Sequence, residues 1–132
     1  MNLIICIDDN GGISFNNRRL SRDKVLCERI LSFTKNKTLW MNKYSYKIFS
    51  AENICVDDEF LSKAKSDDFC FVENIDFLQF LDNVNKIIVY KWNRVYPSDL
   101  KLDKSVLDNK LLISTVDFKG NSHEKITEEM YE

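Results

Sequence analysis

The sequence contains a single histidine, His123, so it should assemble neither a histidine-rich metal site nor a Ser-His-Asp constellation with a base to spare. A zinc enzyme is therefore not expected. Cys6, Cys27, Cys55 and Cys70 include no C-x-x-C pair, and three of them stand in apolar, strand-like runs. They read as small buried hydrophobes rather than as disulfides or metal ligands. A surplus of positive charge is also missing: 19 Lys and Arg stand against 21 Asp and Glu, a formal charge of −2. That balance gives no general attraction to nucleic acid or to anionic membrane. No apolar run is long enough to span a bilayer; Lys86-Ile87-Ile88-Val89-Tyr90 has the length of a strand. Met1 to Ile7 lacks a basic start and a cleavage site, so a cytoplasmic location is expected. Internal repeats and low-complexity tracts are absent too.

What is present fits one domain covering residues 1–132. Hydrophobic residues make up 44% of the chain and charged residues 30%, enough for one core without disulfides or metal. Asn2 to Ile7 is a β-rich run closed by the turn signal Asp8-Asp9-Asn10-Gly11-Gly12. Ser21 or Asp23 can cap a helix running to about Lys35, with Leu26, Ile30 and Phe33 along one face. Thr38 to Met41 reads as a buried strand, Asn42 as the cap of a short helix through Phe49, and Asn53 to Val56 as another strand. The charged stretch Asp57 to Asp68 looks like a linker. Phe69 to Val72 is the next strand, and Asn74 is expected to begin a helix carrying Phe77, Leu78 and Leu81 to about Asn83. Ile87 to Tyr90 is apolar at consecutive positions, the mark of a central strand covered on both faces. Leu111 to Val116 is the last strand expected. Strands alternating with helices imply parallel crossovers and the α/β class.

The order of these pieces resembles dihydrofolate reductase. Leu3-Ile4-Ile5-Cys6-Ile7 resembles that family's first strand, Gly12-Ile13-Ser14-Phe15-Asn16-Asn17 its N-G-x-I-G-x-x-N loop, and Thr34, Lys37 and Met41 its T-x-x-K-x-x-x-M segment. Asn42 to Tyr46 stands where the family has G-R-x-T-[WY]. Arg94-Val95-Tyr96 resembles the piece after the family's glycine pair, and Gly120-Asn121-Ser122-His123 its G-D-T-x-F-P turn. The resemblance implies a mainly parallel central sheet flanked by short helices. It also implies that the C-terminal hairpin is lacking, because the chain ends soon after that turn.

The residues that the family's chemistry needs are changed. The carboxylate that binds the pteridine and supports its protonation falls at Leu26. Asp23, one helical turn earlier, is the candidate replacement acid; its alternative role is that of a helix cap. Of the family's L-P-W segment, Leu20-Ser21-Arg22 or Arg19-Leu20-Ser21, whichever stands there, keeps neither the proline nor the aromatic. Lys91-Trp92 replaces the Gly-Gly pair whose bare backbone lets the dinucleotide pyrophosphate approach. Lys43 and Ser45 keep the cationic and hydroxyl character of the family's phosphate contacts, and Lys91 adds a charge, so these three are the candidate cofactor-binding residues.

Three functions compete. In the first, the chain is a non-catalytic pseudoenzyme that needs no cofactor and binds a protein partner, or a second copy of itself, through an open sheet edge at Leu111, Ile113 and Val116. Small size and an Asn/Lys/Ile-rich composition fit an inhibitor or accessory factor of a phage or mobile element. The alternative is an NADPH-dependent reductase of a folate-like or other small substrate with a rearranged site. The third, nucleic-acid binding through Arg18, Arg19, Arg22 and Lys24 with Trp40 or Trp92 as stacking surfaces, runs against the charge balance.

Overall fold

The computed structural model describes residues 1–132. In chain order its strands are β1 (Asn2–Ile7), β2 (Gly12–Phe15), β3 (Arg18–Arg19), β4 (Leu39–Met41), β5 (Ile54–Val56), β6 (Phe69–Val72), β7 (Ile87–Lys91), β8 (Leu100–Lys101), β9 (Leu112–Phe118) and β10 (Ile126–Tyr131). Three helices intervene, α1 (Lys24–Phe33), α2 (Lys43–Tyr46) and α3 (Phe60–Lys63). Seven strands form one sheet in the order β5-β4-β6-β1-β7-β10-β9, and β3-β2-β8 form a small second sheet. From β5 to β7 every pairing is parallel; β10 is antiparallel to both β7 and β9. The expected α/β architecture with Ile87 to Tyr90 in its interior is what the chain adopts.

Burial explains why Leu3 to Ile7 and Ile87 to Tyr90 are apolar at consecutive positions. Leu3, Ile5, Ile87 and Val89 point into one layer, and Ile4, Cys6, Ile88 and Tyr90 into the other. A strand packed on both faces has no polar alternation to show. On the second layer lies α1, whose Leu26, Cys27 and Ile30 share one helical face against Ile4, Phe71 and Tyr90. Asp23 caps it, accepting from the backbone N–H groups of Val25 at 2.9 Å and Leu26 at 3.3 Å. Asn42 caps α2 in the same way, accepting from Ser45 N–H at 2.9 Å.

Several expectations need correction. The stretch Asp57 to Asp68 is not a linker: it contains α3, which buries Phe60 and Leu61 in the first layer. Asn74 begins no helix, because its side chain is drawn to Asn42 and to the Asn17 carbonyl; a 3-10 helix starts only at Leu78 and runs to Asn83. The C-terminal hairpin is present, formed by β9 and β10. Its second strand, Ile126-Thr127-Glu128-Glu129-Met130-Tyr131, was hidden because Glu128 occupies an inward position. That carboxylate is buried against Arg29, bidentate at 2.7 and 3.1 Å, and Tyr90 Oη at 2.8 Å. Burial pushes the Glu128 carboxyl up, but the Arg29 and Tyr90 hydrogen bonds outweigh it and hold the group below its usual range.

Candidate functional site

In an open parallel sheet ligands bind beyond the carboxyl ends of the strands; here the chain itself covers that end on the α1 side, while on the other face a cavity of about 440 Å³ opens at the ends of β1 and β7, lined by Ile7, Asp8, Lys91 and Asn93. Asp8 follows β1, Asn42 follows β4, Glu73 and Asn74 follow β6, and Trp92 follows β7. The segment carrying β2 and β3 folds back over them. Its two-residue turn at Asn16 and Asn17, with φ of 50° and 62°, is the left-handed pair that matches strand twist in a tight hairpin. Asp8 fastens the near side: Oδ1 accepts from Asn10 N–H and Gly12 N–H, and Oδ2 from Tyr96 N–H. Arg19 fastens the far side. Its guanidinium meets the buried Glu73 carboxylate bidentately, at 2.9 and 3.0 Å, and lies 4.2 Å from the Tyr44 ring centroid. Asn74 Nδ2 then donates to the Asn17 carbonyl.

Beneath this cover the remaining cavity is about 10 Å³, lined by Cys6, Ile13, Arg19, Leu20, Ser21, Val72, Glu73 and Trp92. That space suits one water molecule, whereas small-molecule sites occupy hundreds of cubic ångströms. Trp92 is buried and stacks on His123 at 4.6 Å. Burial lifts the Cys27 thiol to about 12 and pushes the Cys6 thiol upward as well, so neither is a thiolate nucleophile at neutral pH.

His123 sits in an array that no local sequence pattern announces. Its Nδ1 is 2.9 Å from Asp23 Oδ2, and its Nε2 is 3.0 Å from Ser21 Oγ and 3.5 Å from Tyr96 Oη. A Ser-His-Asp connection is thus assembled after all, from residues about a hundred positions apart in the chain. Its order is that of a nucleophilic triad. Its surroundings are not, since Ser21 borders the one-water cavity and Asp23 is saturated with donors. Besides capping α1, Asp23 accepts from Asn121 N–H at 2.9 Å and Ser122 N–H at 2.8 Å. Burial raises the Asp23 carboxyl, yet the hydrogen bonds from Asn121, His123, Ser122 and Leu26 prevail and hold it far below the usual carboxylate range. A carboxylate so held keeps no proton to deliver at neutral pH. Its geometry is that of a clamp between the start of α1 and the turn linking β9 to β10.

The candidate cofactor residues do not converge. Lys43 and Ser45 lie on α2, next to β4, with Lys43 exposed and Ser45 buried. Lys91 ends β7, three strands away and so about 14 Å across the sheet. It points into the first layer's side, where Nζ meets Glu129 Oε1 at 2.9 Å, while Trp92 turns to the other face. Leu26 is buried core, and no glycine follows either strand that flanks β1: Glu73-Asn74 follows β6 and Trp92-Asn93 follows β7. At the end of β7 the buried Trp92 stands where bare backbone would have to approach a pyrophosphate. One polar atom stands out, Ser45 Oγ, buried with no hydrogen-bond partner. Of the proposed nucleic-acid residues, Arg19 is engaged with Glu73, Trp92 is buried, and Trp40 Nε1 donates to Asp68.

The residues expected to carry an interaction lie at an open edge. β9 is the outermost strand, paired only with β10, and Leu111, Ile113 and Val116 are 75%, 48% and 38% exposed. The edge is open because β9 is the outer strand of the hairpin, not because a hairpin is missing.

No family model and no curated protein matches the sequence. Among solved structures, dihydrofolate reductase from Enterococcus faecalis, complexed with NADP(H) and RAB-propyl, is similar with a TM-score of 0.65 at 12% identity. The match covers 98% of this chain and 94% of that one, so the likeness includes the C-terminal hairpin. At this level of identity the likeness speaks for architecture alone: the chain has a dihydrofolate-reductase-like fold.

Proposed function

We propose that this chain uses a dihydrofolate-reductase-like scaffold for binding a protein rather than for hydride transfer. The observation that carries the reading is the covered crevice on the α1 side of the strand ends, with about 10 Å³ under a segment tied down by Arg19, Asp8 and Asn74. The exposed apolar edge at Leu111, Leu112, Ile113 and Val116 supplies the surface that the crevice does not.

The purified protein should show no folate-dependent oxidation of NADPH. Leu26→Asp alone should not create it, because the cofactor side is changed as well. Thermal unfolding with NADPH, NADP+ or folate should be unmoved. A native-state ligand at a hundred times its Kd stabilises by about 2.7 kcal/mol, a shift of several degrees for a domain of this size. Turnover by the unmodified protein, or such a shift, overturns the reading. The second reading, an NADPH-dependent reductase, is favoured by one observation: the orphaned Ser45 Oγ beside Lys43, the pair that the family resemblance assigns to cofactor phosphates.

A further inference from the structure

Exposed edge strands are usually blunted by charge, proline or cover. The β9 edge has none of these along its middle. Four large apolar residues, Leu111, Leu112, Ile113 and Val116, are 38% to 75% exposed within six positions. The backbone pattern and the charges at the two ends of the strand identify what can pair there.

Leu111 and Glu132 exchange both of their backbone hydrogen bonds. Along β10, which is regular against β7, the bonding positions recur at every second residue, so Met130, Glu128 and Ile126 bond to their partners Ser114, Val116 and Phe118. Between Leu112 and Ser114 the register slips by one residue, leaving Ile113 as the extra residue of a bulge. The consequence is specific. Leu112, Thr115 and Asp117 turn their N–H and C=O groups away from β10, and the bulge breaks the usual spacing between Leu112 and Thr115.

From this geometry we infer that β9 pairs with β9 of a second copy, antiparallel, about a two-fold axis between Ile113 and Ser114. In that register Leu112 faces Thr115 of the second copy, and Thr115 faces its Leu112, so outward groups meet outward groups on both rungs. Shifting by one residue would set outward groups against inward ones. Leu111 then lies beside Val116 of the second copy, apolar against apolar. One step further out Lys110 comes opposite Asp117, and by symmetry this repeats at the other end. Asp117 enters that contact with one carboxylate oxygen in use, from Thr127 Oγ1 at 2.7 Å, and Lys110 turns from the Asn85 carbonyl, 2.6 Å away. The two-fold is perpendicular to the sheet, so equivalent faces stay on the same side and opposite charges meet. This assignment rests on the protein-binding reading above and names its partner as a second copy of the chain.

Seven residues of edge bury little area, so the dimer should be weak, forming at micromolar concentrations or above. Sedimentation from about 1 µM to about 1 mM should show the mass rising from 15.6 kDa toward twice that value. Thr115→Pro removes an outward N–H, which an edge strand tolerates, and should hold the protein monomeric with unchanged circular dichroism. The register is read separately. In a Cys55→Ser background, Leu111→Cys and Val116→Cys proteins mixed under mild oxidation should cross-link to one another, since these positions form a close non-bonded pair. Leu111→Cys alone should not. A monomer across the whole range, a dimer indifferent to Thr115→Pro, or Leu111→Cys self-cross-links in place of the mixed product would overturn the inference. None of these outcomes bears on NADPH oxidation, so failure here leaves the non-catalytic reading to its own assay.

Discussion

Asp23 shows how one side chain can join distant parts of a chain. Its oxygens cap α1 and also hold Asn121, Ser122 and His123, so the helix start and the β9–β10 turn share one anion. Removing it in Asp23→Ala strands several buried donors and should cost about 3 kcal/mol, measured by urea unfolding at neutral pH. The same carboxylate predicts acid sensitivity. Its folded-state proton affinity is lowered, so its contribution is complete above the unfolded value near 4 and is lost as pH falls below that point. Wild-type stability should therefore drop on acidification from about pH 4, and Asp23→Asn should flatten that limb. Gly120 is bound to the same feature. A methyl group there would press on the Asp23 carboxylate and lie 2.9 Å from Ile126 Cδ1, and the carboxylate cannot retreat from its donors. Gly120→Ala should cost about 1–3 kcal/mol by chemical unfolding. From the sequence Asp23 was readable as a cap, since capping is local. Its second set of partners was not, because nothing near Asp23 points to residues a hundred positions away.

At the scale of elements, the segment over the strand ends is held chiefly by the Arg19–Glu73 pair. Glu73→Gln keeps the shape but removes the charge, leaving the guanidinium in a half-buried site without its anion. Breaking such a pair typically costs about 3 kcal/mol. Amide exchange of Ser14 and Arg19 should then speed up while that of β1 and β7 stays slow, a split that global destabilisation would not give. Which elements the sequence disclosed follows from what each one buries. β1, β6 and β7 were legible because both faces are apolar. β10 was not, since its inward Glu128 is made tolerable by Arg29 and Tyr90, and no period-2 signal survives such a substitution. α3 is a single turn whose two buried residues stand among charges, too short for any periodicity. The candidate site suffered similarly: residue types could be matched to a resemblance, but only the sheet order shows that Lys91 lies three strands away from β4 and the neighbouring Lys43 and Ser45.

The whole molecule is organised around a strand that is made first and finished late. Leu3 sits beside Cys70 on one side and Ile87 on the other, so the first strand of the chain has no partner until more than half of the sequence exists. At synthesis rates of about 5–20 residues per second, its six buried residues wait for several seconds with both edges unmet. Long-range pairing of this kind also slows spontaneous folding, because loop closure must precede its reward. Refolding by dilution from denaturant should accordingly be slower than for helical chains of similar length, and its yield should fall as protein concentration rises, with soluble monomer recovered at low concentration. The same central strand that unites the native sheet is, in the nascent chain, an unsheltered adhesive segment. In the nascent chain Leu3 to Ile7 should be the segment most exposed to wrong pairing until Phe69 to Val72 and Ile87 to Lys91 arrive.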